Sequence, residues 1–200
     1  MKRTMTFLLI AMTSGIMMNG CGGIAAMVVN PNGDEHMVDY NTSKTNQAIL
    51  KKISEKGYRI NLGDFKDQSE SEKTITCRLA TSVHPPKDES YILYIQHAFE
   101  KEFEHAKLYE KKSTVTITAE LNELYGSTTY GDAYWSFDIT LVSSNGEKLR
   151  VRSRYDYESS ITAAYACKEM HKTFPLALQK LIHDTISDKR FELLLQKRKK

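Results

Sequence analysis

The chain has no phosphate-binding glycine loop and no G-x-S-x-G nucleophile elbow. The one stretch that invites the comparison, "YGSTTYG" from Tyr125 to Gly131, has the wrong spacing, and a connection between two strands accounts for it. It has no unbroken apolar run of the roughly 18 residues that span a bilayer, which argues against a permanent helical anchor. Charge of one sign is also missing: 28 basic residues stand against 25 acidic ones. Cysteine is scarce, at three residues, and so are proline, at four, and tryptophan, at one. There is no internal repeat. A motif-borne enzyme and an electrostatic nucleic-acid binder are both poorly served by such a composition.

The N-terminus carries a different signal. Lys2 and Arg3 provide a positive start, and the apolar stretch from Phe7 to Ala11 runs on through Ile16, Met17 and Met18, broken by Thr13, Ser14 and Asn19. This is the pattern of a segment that is read and removed, so residues 1–20 are expected to be a signal peptide. Met18-Asn19-Gly20-Cys21 resembles the lipobox of bacterial lipoproteins, with Met18 in place of the usual leucine and Asn19 atypical. The resemblance implies cleavage before Cys21 and a covalent lipid on its sulfur, palmitate or a similar acyl chain, so that the membrane becomes a partner without any spanning helix. Gly22 stands where an aspartate would resemble an inner-membrane retention signal, so the outer membrane is favoured. Removing Lys2 and Arg3 from the 28 basic residues leaves 26 against 25 acidic ones, and no nucleic-acid partner is implied.

The 180 residues left by cleavage suffice for one domain with a substantial core. Residues 21–42 show no sustained period and contain Asn30-Pro31-Asn32-Gly33, a strong turn signal, so they read as a lipidated tether. Residues 43–196 read as a single α+β domain, and Lys197 to Lys200 as a basic, solvated tail. Thr42 or Ser43 can cap a short helix carrying Ala48, Ile49 and Ile53, ended at Gly57. Tyr58–Phe65 and Thr74–Leu79 read as strands. After Pro85-Pro86, Asp88 or Ser90 can cap a long helix whose Tyr91, Ile95, Ala98, Phe99, Phe103 and Ala106 recur at three- and four-residue spacing.

Three strands with clear alternation follow. Val115, Ile117, Ala119 and Leu121 share one face of the first, and Trp135, Phe137, Ile139 and Leu141 share one face of the second. Leu149, Val151, Tyr155 and Tyr157 share one face of the third. Residues opposed in an antiparallel pair point the same way, which pairs Leu141 with Leu149, Ile139 with Val151, Phe137 with Ser153 and Trp135 with Tyr155. This leaves Ser144-Asn145-Gly146 as a three-residue loop and sets Asp138 opposite Arg152 on the outer face. Ala163, Cys167, Met170, Phe174, Leu178, Leu181 and Ile182 describe a last amphipathic helix, which Pro175 is expected to kink or divide. The fold class expected is α+β: a mainly antiparallel sheet with a three-strand meander, two long amphipathic helices and a shorter N-terminal one packed on it.

No catalytic residues are expected. Glu102 and His105 have the Glu-x-x-His spacing of di-iron bundles, but such a site needs a second copy and further glutamates, so no metal is expected. His97, His105, His171 and His183 read as exposed or locally satisfied, and no cofactor is expected beyond the lipid on Cys21. Tyr125, Tyr130 and Tyr134, among 11 tyrosines, crowd one side or end of the meander and form the candidate binding surface, although strand propensity explains most of them. With Cys21 acylated in an oxidising compartment, Cys77 and Cys167 are expected to form a disulfide, the alternative being two buried thiols acting as small apolar side chains.

Cys77-Arg78, Pro85-Pro86, Tyr94-Ile95, Trp135 with Asp138, Ser143 to Gly146, Glu158 to Ser160 and Ala166-Cys167 resemble a family of uncharacterised proteobacterial lipoproteins across roughly residues 58 to 195. More distantly, the order of elements is similar to the auxiliary lipoproteins of ABC-type lipid transporters and to the lipopolysaccharide-assembly lipoprotein. The resemblance implies a lipid-anchored outer-membrane protein on the periplasmic face, acting as a non-enzymatic assembly component with an envelope protein as partner. The alternative is a small-ligand or lipid-binding module auxiliary to envelope transport, with an apolar pocket between helix and sheet.

Overall fold

The computed structural model describes residues 37–69, 75–78, 81–86 and 89–197. The signal peptide, the lipobox with Cys21, most of the tether and the last three residues of the basic tail lie outside them. The elements in order are α1 (Lys44–Glu55), β1 (Asn61–Asp67), β2 (Ile75–Cys77), β3 (Thr81–Val83), α2 (Tyr91–His105), β4 (Thr116–Thr129), β5 (Asp132–Ser143), β6 (Lys148–Tyr157), α3 (Ala163–Ser187) and α4 (Phe191–Leu194). Four strands form the main sheet in the order β1-β4-β5-β6, and β2 and β3 form a separate two-stranded ribbon.

The β5–β6 register is the one face matching requires: Leu141 pairs with Leu149, Ile139 with Val151, Phe137 with Ser153 and Trp135 with Tyr155. Ser143 N–H donates to the Glu147 carbonyl at 2.9 Å and Gly146 takes φ of 101°, so the loop is Ser144-Asn145-Gly146 with glycine in the left-handed position. Ser43 caps α1, its hydroxyl accepting from Asn46 N–H, and Ser90 caps α2 through Leu93 N–H. The predicted stripe of α2 is buried, as is that of α3 from Cys167 onward with Ala163 left exposed, and together with the inner faces of β4, β5 and β6 they form a continuous core.

The main sheet is mostly antiparallel, as expected, and β1 is its one strand that runs parallel to its neighbour, β4, with α2 in the crossover between them. Strand alternation does not report direction, and only the long connection hints at it. β4 runs on to Thr129, so most of Tyr125–Gly131 is strand, and the turn is confined to Tyr130-Gly131 with Gly131 at φ of 80°. A bulge hid this continuation. Leu121 pairs with Ile139 but Glu123 pairs with Asp138, so Asn122 is an extra residue that flips the parity of everything after it. Leu124 and Gly126 thereby join the core face. Gly126 pairs with Trp135, and a Cβ there would lie 2.7 Å from the indole, so the glycine makes room for the ring.

Pro175 does not divide α3, which is one helix of 25 residues, with the proline itself buried. The cost of the missing amide bond is set against the packing of Phe174, Ala177 and Leu178 on either side of it, all fully buried. α1 buries Asn46, Leu50 and Ile53 and leaves Ala48 exposed, a rotation from the expected face. The last residues assigned to the tether are not free of the body: Met37 and Tyr40 are buried in the core, and Met37 N–H donates to the His84 carbonyl at 3.0 Å.

Candidate functional site

The helices cover one face of the sheet and leave the other open, and the open face carries the functional candidates. On β6, Leu149, Val151 and Ser153 point inward while Arg150, Arg152 and Arg154 point out and are exposed. Asp138 on β5 lies opposite Arg152 and is nearly inaccessible. It accepts from Arg150 Nε at 2.8 Å and Nη2 at 2.7 Å, from Arg152 Nε at 2.8 Å and from Asn122 Nδ2 at 3.0 Å. The same Asn122 amide reaches Thr140 Oγ1 at 2.9 Å, a contact made available by the bulge. Arg150 above all, with Arg152 and Asn122, outweighs burial and holds the Asp138 carboxyl down at about 2. Face matching pointed to Arg152 as the partner. The stronger, two-pronged partner is Arg150, one pleat along, and the alternating arginines at 150, 152 and 154 were the available signal.

Tyr125 and Tyr134 meet on this face with ring centroids 5.8 Å apart. Arg154 stacks over the Tyr134 ring, its guanidinium carbon 3.5 Å from the centroid, while Nε bonds Asp156 and Nη2 bonds Asp132, each at 2.7 Å. Tyr125 is half exposed. Tyr130 sits apart on the β4–β5 turn and is 64% exposed. Two of the three candidate tyrosines are therefore brought together, and the third projects from the end of the hairpin. A small cleft of about 210 Å³ lies between Glu123, Asp138, Arg152 and Arg154 on the same face.

The other candidates resolve into structural roles. Cys77 and Cys167 are joined by a disulfide with Cα atoms 5.5 Å apart, which ties the β2–β3 ribbon to α3. Glu102 is fully buried and accepts from the Tyr40 hydroxyl and the Ser43 amide, each at 2.7 Å, and from the Gln47 side chain. Burial, and then the Glu102 carboxylate, push the Tyr40 phenol well above its ordinary range, so it remains a donor. These bonds pin the chain from Tyr40 to Gln47 onto α2. His105, three residues on, is exposed, so Glu102 and His105 do not converge. His97 Nδ1 lies 3.0 Å from Glu89, His171 Nδ1 lies 2.7 Å from the Cys167 carbonyl and His183 Nδ1 lies 3.3 Å from Asn46 Oδ1. Among the described residues no group of three or more His, Cys, Asp or Glu side chains is placed to hold a metal ion. Nor, among them, is any helix long and apolar enough to cross a membrane.

Between the helices and the sheet the space is occupied by rings. Phe174 lies 4.8 Å from Trp135, 5.7 Å from both Tyr91 and Tyr94 and 5.9 Å from Phe137, and the indole N–H donates to the Met170 carbonyl at 3.2 Å. No family model matches this chain, and neither does any curated protein.

Proposed function

We propose that the protein is a lipid-anchored component of the bacterial envelope, held through Cys21 on the periplasmic side of the outer membrane, where it docks a partner protein without doing chemistry of its own. The observation that carries this reading is the asymmetry of the sheet. Its inner face is filled by aromatic rings, and its outer face, with no helix of the described residues over it, presents Tyr125, Tyr134 and Arg154 as a half-exposed aromatic and cationic cluster. Tyrosine and arginine are the side chains that protein interfaces favour, because both bury large area and keep a polar end satisfied. The lipobox-like Cys21 and the pairing of the other two cysteines support an envelope setting, since disulfides persist in oxidising compartments. The rival reading, a lipid carrier, needs an apolar cavity of several hundred cubic ångströms between helix and sheet. Phe174 and its four neighbouring rings stand in that space.

The test is made in intact cells. Cys21→Ser is expected to release the protein from the membrane fraction or leave an uncut precursor. A photo-crosslinking residue at position 125 is expected to capture one discrete envelope protein that the same residue at exposed position 172 does not. A Cys21→Ser protein that is cleaved and still membrane-bound would remove the anchor from the proposal, and equal capture at both positions would remove the docking face.

A further inference from the structure

On the far side of the molecule from the open sheet face, α1 and the C-terminal end of α2 border a cleft of about 620 Å³, lined by Lys44, Gln47, Lys51, Arg59, His105 and Lys107 among others. Ser54 and Ala106 are buried at its floor, while the lysines stand exposed at its rim. Glu55 is the one carboxylate in the lining. We propose that this cleft binds an anionic ligand carrying a phosphate group, a sugar phosphate or a phospholipid head group, a property that goes beyond partner docking.

Three observations converge on this. The first is the lack of internal neutralisation: the ammonium groups of Lys44, Lys51 and Lys107 take part in no hydrogen bond or ion pair among the described residues, and Glu55 makes no ion pair either. Lysines whose purpose is to hold the fold would be expected to lean on carboxylates, as Lys56 does on Glu192 and Lys180 on Asp184. The second is placement. Lys44 occupies the first turn of α1, which contains no acidic residue, where the helix dipole disfavours a cation. Lys44 and Lys51 are seven residues apart, so they lie on one face of α1, roughly 10 Å apart along its axis.

The third is Lys107. It follows the C-cap of α2 in a Schellman arrangement, in which Leu108 N–H bonds the Phe103 carbonyl and Lys107 N–H bonds the Glu104 carbonyl, each at 2.9 Å. That position needs a left-handed residue and ordinarily takes glycine, yet Lys107 holds it with φ of 57°. The turn thus presents a lysine, which the left-handed position does not require, at the edge of the cleft. The cleft is of the size that takes small organic ligands and is far larger than inorganic phosphate needs, so the phosphate is one end of a bigger molecule. Cationic side chains from α1 and from the end of α2 around one cleft suit a phosphate, whose anionic oxygens accept charge-assisted hydrogen bonds in a monoester and a diester alike.

The test uses the folded soluble part of the chain as it leaves the membrane in the Cys21→Ser protein, or detergent-solubilised full-length protein if that variant is not exported. Glucose 1-phosphate, inorganic phosphate and vesicles of phosphatidylglycerol or phosphatidylcholine serve as probes, followed by backbone amide shifts and calorimetry. Saturable shifts confined to residues 44–55 and 105–108, weakened by salt, are expected with a phosphate-bearing probe. Lys51→Gln and Lys107→Gly are each expected to weaken binding fivefold or more, while Lys189→Gln leaves it unchanged. Lys107→Gly is also expected to raise the melting temperature, so its loss of binding cannot be blamed on unfolding. A response to glucose 1-phosphate points to a soluble ligand, and a response to phosphatidylglycerol vesicles alone points to a head group. Shifts scattered over all surface lysines, or equal losses in Lys51→Gln and Lys189→Gln, overturn the site.

Discussion

Two cationic regions among the described residues use their charge in opposite ways. On β6 every outward arginine has a carboxylate supplied by the fold: Arg150 and Arg152 converge on Asp138, and Arg154 bridges Asp132 and Asp156. In the α1–α2 cleft Lys44, Lys51 and Lys107 have none among the described residues. The pairing on the sheet follows from geometry, because a period of two on neighbouring strands puts side chains of one face opposite each other at fixed register. Arginine's planar fork then suits a carboxylate held in place. Helix rims have no such partner strand. Charge that the fold neutralises shapes the fold, whereas charge it leaves open is available to something else.

The comparison is sharpest if global stability is set elsewhere, and the disulfide is where the largest effect is expected. It closes a sequence separation of 90 residues and touches neither cationic region. In the chain-entropy model Cys77→Ser should cost roughly 4 to 5 kcal/mol in urea unfolding, before any denatured-state effect is considered. Below its transition the variant should keep the same amide shifts around Asp138 and around Lys51. Loss of either region's native signature in the folded variant would show that the two regions depend on the ribbon and α3 rather than on their own strands and helices.

A smaller effect belongs to Asp138. Its folded pKa, about 2, lies below the value of about 3.9 in an unfolded chain, so its contribution is fully present above that unfolded value and disappears as pH falls from about 4 through 2. The size is on the order of 2 to 3 kcal/mol at most. Urea midpoints at pH 5 and pH 2.5 should therefore differ less in Asp138→Asn than in the unaltered protein. The variant also leaves Arg150 and Arg152 unneutralised, so it should acquire weak, salt-sensitive phosphate binding on the sheet face, making that region behave like the cleft. An unchanged pH dependence would break the contrast, because the arginines would then not be paired in solution as they are in the structure.

The smallest effect on stability is expected at Tyr125. It is 51% exposed, so Tyr125→Ser should shift unfolding by no more than about 0.5 kcal/mol. If the open face docks a partner, co-purification of that partner after reversible crosslinking in cells should nonetheless fall several-fold. A loss of stability without a loss of capture would reassign the tyrosine pair to sheet packing.

Much of this was legible in the residues themselves. Inward alternation on β5 and β6 was enough for the register, since a slip of one residue would have put Arg150 against Leu141 and turned a whole apolar set toward water. The stripe of α2 was equally plain, while Ser43 and Ser90 were each one of two candidate caps. The candidate site was half legible: Tyr125 and Tyr134 could be placed on one region of the meander, but their 5.8 Å approach depends on the bulge at Asn122, and no local pattern announces an inserted residue. Asp138 and Arg152 were visible as a cross-strand pair, while the Arg150 bond runs diagonally and rests on side-chain reach.

What the chain determined by itself, then, is what local physics reads directly: period, capping and the left-handed glycine at position 146. Tertiary structure decided the parallel docking of β1 beside β4, because strand direction is settled by where the crossover helix packs. It decided that α3 passes unbroken through Pro175, where buried neighbours on both sides outweigh a lost amide bond. It decided too that Met37 and Tyr40 belong to the core, since the groove that receives them is built from residues 45 to 65 positions further along the chain. The cleft is of the same kind: Lys44, Lys51 and Lys107 mean nothing in sequence order until α1 is laid against the end of α2, because electrostatic potential depends on distance through space.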